Sequence, residues 1–132
     1  MELLDLYPTV AKLCDLKAPD HVQGKDISRM LDDPKHQVRD AAFSVAPMRK
    51  GFLLREHKYA YIQYGEDASG GIELFDMQSD PKQYTNLAGD AEHQQVVKRF
   101  KARMVAKLQE VRDNDLPTPK PNPTRRKRRS SG

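Results

Sequence analysis

The 132-residue chain has no tryptophan, one cysteine, and no apolar run long enough to cross a bilayer. The missing run rules out a membrane-spanning helix. The lone Cys14 rules out an intrachain disulfide and a multi-cysteine zinc site. His21, His36, His57 and His93 are scattered without metal-ligand spacing and read as loop or solvated residues. The N-terminus, Met1-Glu2-Leu3-Leu4-Asp5, is acidic where a signal peptide needs a basic start.

Charge is abundant but unevenly placed. The formal net charge is +4, and Arg125-Arg126-Lys127-Arg128-Arg129 alone supplies +5, so the remainder carries −1. The basicity therefore belongs to a tail rather than to a binding face. No aromatics are interleaved with that run for base stacking, so a nonspecific basic tail is the modest reading and a nucleic-acid function is not favoured. Hydrophobic residues at 37% and charged residues at 32% fit one soluble domain with a modest core.

Leu3, Leu4, Leu6, Tyr7, Val10, Leu13 and Cys14 fall at helical spacing, which predicts an N-terminal helix capped by Asp5 and ended by Ala18-Pro19-Asp20. Cys14 reads as a small buried apolar residue on that helix. A loop pivoting on Gly24 follows, then one helical turn over Ile27 to Leu31 before Asp33-Pro34. From Ala41 the period becomes strand-like. Ala41 to Val45, Phe52 to Arg55, Tyr59 to Tyr64 and Ile72 to Phe75 are four candidate strands, with Glu56-His57-Lys58 as a hairpin connection. Gly65 through Gly71 is a polar, glycine-rich loop.

Asp90 is positioned to cap a long helix over about Ala91 to Arg112. Val97, Phe100, Met104, Leu108 and Val111 form its apolar face. Lys98, Arg99, Lys101, Arg103, Lys107, Glu110 and Arg112 form the charged one. The expected fold is α+β: a small antiparallel sheet of about four strands, packed by the long C-terminal helix, with the N-terminal helix alongside. After Asp113 come Pro117, Pro119, Pro121, Pro123 and the basic run, so residues 113–132 are expected to be disordered.

The segment Leu74-Phe75-Asp76, Asp80-Pro81, Asn86-Leu87 resembles the closing segment of sulfatases. Three further stretches agree in order. Leu4-Asp5-Leu6-Tyr7-Pro8-Thr9 resembles the start of the last helix of the large sulfatase domain. Pro19-Asp20-His21-Val22-Gln23-Gly24-Lys25, with Met30-Leu31, resembles the loop after it. Ala42-Phe43-Ser44 and Gly51 to Tyr61 resemble the family's hairpin, in a form closest to iduronate-2-sulfatase-like members. Gln83 stands where that pattern usually has Glu, and Ala46-Pro47-Met48-Arg49 replaces the usual Tyr-Pro-Arg. The resemblance implies three parts. Residues 1–40 would be the end of the large domain, 41–112 the C-terminal sulfatase subdomain, and 113–132 a tail.

By that resemblance the intact enzyme hydrolyses sulfuric esters with a formylglycine made from Cys-x-Pro-x-Arg, beside a calcium ion. Its substrate would be a sulfated sugar or other sulfate ester, and intact members are usually exported. Cys14 is followed by Asp15-Leu16-Lys17-Ala18, so it is not that nucleophile, and no catalytic or metal residue is assigned. Asp76 and Asp80 read as turn and strand-end residues rather than a calcium pair. Arg49, Lys50 and Arg55, with Lys58 nearby, are candidates for a substrate rim, where cations attract a polyanionic sugar. The chain is expected to be inactive alone. The alternative is an interaction module that self-associates, or binds a separate partner, through its first helix.

Overall fold

The computed structural model describes residues 1–46, 48 and 50–112. The expected tail, its basic run and Arg49 lie outside the described residues. A 3-10 turn, Leu3–Asp5, runs into helix α1, Leu6–Leu13, and a second turn spans Ser28–Leu31. Strands β1 (Ala42–Ala46), β2 (Gly51–Arg55), β3 (Tyr59–Tyr64) and β4 (Ile72–Asp76) follow. A third 3-10 turn, Ala91–His93, leads into helix α2, Gln94–Arg112. The strands form one antiparallel sheet in the order β1-β2-β3-β4, so every connection is between neighbours. The α+β architecture expected from the periodicities is the one formed.

Register decides which side chains meet α2. Leu54 pairs with Tyr61, and Tyr61 with Leu74, so all three share the face on which the helix lies. Alternation then turns Arg55, Ala60 and Phe75 to the opposite face. The helix presents Val97, Phe100, Met104 and Leu108, all buried, to Leu54, Tyr61 and Leu74. Tyr61 stacks on Phe100 with ring centroids 5.5 Å apart, and Tyr59 meets the same ring edge-on at 6.5 Å. Burial pushes the Tyr61 hydroxyl up to about 12, so the phenol stays neutral and donates to Gln63 Oε1 at 3.2 Å. Gln63, itself buried, donates through Nε2 to the carbonyls of Gly65 and Glu66. No buried polar side-chain atom among the described residues lacks a partner.

The charged face of α2 departs from expectation in one respect. Arg99 and Arg103 do not simply face water. Arg99 makes two bonds to Glu56, at 3.1 and 2.8 Å. Arg103 bonds the same carboxylate and also Asp40, at 2.8 Å. Long guanidinium stems reach round the helix to the hairpin, which clamps α2 across the strands. Asp90 caps as predicted: its Oδ1 accepts the amide of Glu92 at 3.0 Å.

The N-terminal helix is shorter than its spacing suggested. It ends at Leu13, because Asp15 turns left-handed (φ 57). The amide of Leu16 then reaches back to the Ala11 carbonyl at 2.8 Å, and that of Asp15 to Lys12 at 3.1 Å. This is a Schellman termination with Asp in the place usually held by Gly. Cys14 sits at that end and is exposed rather than buried. The apolar residues behind the helix prediction are exposed as well: Leu3 82%, Tyr7 58%, Val10 58% and Leu13 59%. What α1 buries within this chain is Pro8, Thr9 and Ala11.

Candidate functional site: a buried carboxylate, a hairpin cleft and a clasped sheet edge

The sequence favours Asp5 as a helix cap, and it does stand just before α1, yet its side chain caps nothing there. It is fully buried and accepts from three donors. These are the amide of Glu2 at 2.8 Å, the amide of Lys25 at 2.9 Å and the guanidinium of Arg39. Burial pushes its carboxyl up. The Arg39 bond, the two amides and the Arg39 charge outweigh that and hold it at about 2, below the ordinary 3.8. Glu2 completes the knot: Oε1 accepts the amide of Phe43 on the free edge of β1 at 2.8 Å, and Oε2 lies 3.6 Å from Arg39. Thr9 adds a relay, donating to the Asp5 carbonyl at 2.6 Å while accepting the Ile27 amide at 3.0 Å.

The loop carrying Lys25 and Ile27 lies very close to the start of α1. A Cβ on Gly24 would fall 2.0 Å from the Leu4 carbonyl oxygen, so only glycine fits. The stretches Leu4 to Thr9, Pro19 to Lys25 and Ala42 to Ser44 are thus tied together by polar groups of the first two plus Glu2 and Arg39. Arg39 was the residue that sequence reasoning missed. Its only signal was an isolated cation beside an acidic neighbour, which resembles any surface arginine.

The three rim candidates do not form one cluster. Arg49 lies outside the described residues. Lys50 is exposed at the start of β2 with left-handed backbone (φ 49), and its carbonyl accepts the Gly65 amide at 2.9 Å. It borders a groove of about 460 Å³ with Val45, Phe52, Asp67 and Ser69. Arg55 closes β2 at the far end, about 17 Å along the strand. It lines a different cleft, of about 230 Å³, together with His36, Arg39, Asp40 and His57. Lys58, on the hairpin, lies 3.7 Å from Asp76.

The residues that drew the family resemblance have local tasks. Asp76 Oδ1 accepts the amides of Gln78 and Ser79, and Asp80 Oδ2 accepts that of Thr85 at 2.8 Å. These are the strand-end and turn roles expected of them. Gln83 takes a left-handed turn position (φ 61). Asn86 clasps the outer edge of β4: Oδ1 accepts the Leu74 amide at 3.0 Å and the Ala88 amide at 2.9 Å, while Nδ2 donates to the Ile72 carbonyl at 3.3 Å. The Leu87 amide bonds the Leu74 carbonyl at 2.8 Å.

The donor sets do not fit the family's catalytic groups. Among the described residues no three His, Cys, Asp or Glu side chains converge to hold a cation. Cys14, on an exposed helix end with Asp15 after it, has neither the proline nor the arginine of a formylglycine signature.

A four-stranded antiparallel sheet with one helix across it, preceded by a helix pinned through a buried carboxylate, is the architecture of a small α+β subdomain. The family described as "N-sulphoglucosamine sulphohydrolase, C-terminal" matches residues 1–111, and the chain belongs to it. It is 30% identical over 117 residues to an ulvan-active sulfatase of Formosa agariphila, covering 83% of this chain and 22% of that one. It is 28% identical over 107 residues to a delta 4,5-hexuronate-2-O-sulfatase of Bacteroides thetaiotaomicron, covering 75% and 22%. A solved 2-O GAG sulfatase shares the fold with TM-score 0.69 at 22% identity, over 83% of this chain and 25% of that one. The chain therefore spans about a fifth of the length of the curated relatives it matches.

Proposed function

We propose that the chain is the C-terminal part of a sulfuric ester hydrolase acting on sulfated sugars, and that it performs no chemistry alone. The family match over residues 1–111 carries this reading. In it, residues 1–40 close the large domain and residues 41–112 are the subdomain. The formylglycine and the calcium ion are supplied by residues outside this chain. The exposed apolar side chains of α1 support the same division, since such a face needs a partner to cover it. Purified chain incubated with an aryl sulfate is expected to give no turnover. Sustained hydrolysis by a pure sample overturns the assignment.

The substrate of the whole protein is proposed to be a 2-O-sulfated uronate within a sulfated polysaccharide, as in iduronate-2-sulfatase-like members. The hairpin segment Gly51 to Tyr61 supports this, as does the likeness to a protein named for delta 4,5-hexuronate 2-O-sulfate. Arg49, Lys50 and Arg55 are proposed to act on substrate capture, through KM and its salt dependence, and not on the chemical step. With the catalytic part present, neutralising Lys50 or Arg55 is expected to raise KM on a polymeric substrate and leave kcat unchanged. A fall in kcat alone contradicts the rim role.

The exposed face of α1 also favours a second reading, a non-enzymatic module that self-associates or binds a separately made partner. Sedimentation at several concentrations separates the two. A concentration-dependent dimer abolished by Tyr7→Glu or Val10→Glu supports the module, and a monomer throughout removes self-association.

A further inference from the structure

The cleft beside the β2–β3 hairpin measures about 230 Å³, smaller than a drug-sized pocket and of a scale for one small oxyanion or acidic sugar group. Its charges are not equivalent. Arg39 is committed to Asp5 and Glu2, and Asp40 to Arg103. Arg55 has no carboxylate partner among the described residues. Its Nη1 donates to the carbonyl oxygens of Glu56 and His57, which are neutral acceptors. Those bonds fix the guanidinium plane through the nitrogen on the Cδ side. The Nε–Nη2 edge stays available, and that edge makes two parallel bonds to a carboxylate or sulfate. His36 and His57 line the same cleft.

We propose that this cleft is an anion subsite in which the Nε–Nη2 edge of Arg55 grips the sulfate or carboxylate of an acidic sugar, flanked by His36 and His57. The subsite rests on the sulfatase reading only for the identity of the sugar, because the grip on an oxyanion follows from the cleft itself. The pre-set guanidinium loses little freedom on binding, which favours a fixed, two-point contact over loose attraction.

The test is a titration of the ¹⁵N-labelled 132-residue chain at constant ionic strength. Sodium sulfate, sodium glucuronate and glucosamine 6-sulfate are added in separate arms, with sodium chloride as control. A saturable shift of the Arg55 Nε–Hε signal and of the backbone amide signals of residues 55–57, which every variant keeps, is expected in at least one oxyanion arm and not with chloride. Saturation with sulfate but not glucuronate identifies a sulfate site, and the reverse a carboxylate site. Arg55→Lys keeps the charge but loses the fork, and is expected to bind about tenfold more weakly. Arg55→Gln is expected to abolish saturation, and His57→Ala to weaken it a few-fold. Should Arg55→Gln disturb the hairpin, seen in the Glu56 and Tyr59 amide signals, the Arg55→Lys and His57→Ala arms decide. A response that never saturates, that chloride reproduces, or that Arg55→Lys leaves unchanged overturns the subsite. No catalysis is read, so failure here leaves the family reading intact, and turnover of an aryl sulfate would leave this subsite intact.

Discussion

The two helices of this protein carry the same kind of sequence signal and use it differently. On α2 the apolar stripe is Val97, Phe100, Met104 and Leu108, and every member is buried against the sheet. On α1 the stripe built from Leu6, Tyr7, Val10 and Leu13 is exposed, and the residues buried around it include Glu2, Asp5 and Thr9. One region is held by removal of apolar surface from water. The other is held by charge-assisted hydrogen bonds around the buried Asp5 carboxylate. Helical periodicity states that a face is apolar, and it is silent on whether the same chain covers it.

The contrast can be broken from the sheet side first. Phe100→Ala removes the ring that stacks on Tyr61, and should cost about 3–5 kcal/mol in urea unfolding. A loss under about 1 kcal/mol would mean the core does not hold the body together. On the other side, Asp5→Ala leaves the half-buried Arg39 with only the more distant Glu2 carboxylate and frees two amides, costing about 3 kcal/mol locally. Hydrogen exchange should quicken at Lys25 and Ile27 while the Tyr61 amide keeps its protection. Equal acceleration of both would show that the two regions are one cooperative unit.

Acid offers a graded version of the same separation. The Asp5 carboxyl is held at about 2 in the folded protein, against 3.8 ordinarily, so its contribution is complete above about pH 4 and lost as pH falls toward 2. About 2 kcal/mol is at stake, with the N-terminal segment loosening first. Matched acid profiles for wild type and Asp5→Asn would contradict the assignment. Next in size is the β4 clasp: Asn86→Ala should cost about 1 kcal/mol and expose the Leu74 amide to exchange. Smallest is the coupling of Glu56 to Arg103, about 0.5–1 kcal/mol in a double-mutant cycle, and lower at high salt.

Much of the body was legible in the sequence. Tyr59–Tyr64 forms the strand its alternation predicts, the other three strands begin or end within one residue of their predicted bounds, and Asp90 caps where expected. Those are local signals, and local geometry settles them. The N-terminal region was harder because its determinants are long-range. Asp5 meets Lys25 and Arg39, which lie twenty and thirty-four residues away, and nothing in spacing announces such a meeting. The helix end at Asp15 was missed for a different reason: a left-handed aspartate substitutes for the glycine that would have marked it. Spacing placed Arg99 and Arg103 on the charged face of the helix but could not pair them, because their partners, Glu56 and Asp40, sit on other parts of the chain. Of the rim candidates, residue type suggested an anion-facing role. Only the strand bounds reveal that Lys50 stands just before β2 while Arg55 closes it at the far end.

The Asn86 clasp has a consequence for how copies of this protein could meet. An outermost strand with bare amides and carbonyls is a template on which another strand can grow. On β4 the Leu74 amide and carbonyl and the Ile72 carbonyl are already occupied from within the chain. Fibre-like stacking along that border is blocked at its middle, so a strand from another copy would have to add at the β1 border instead.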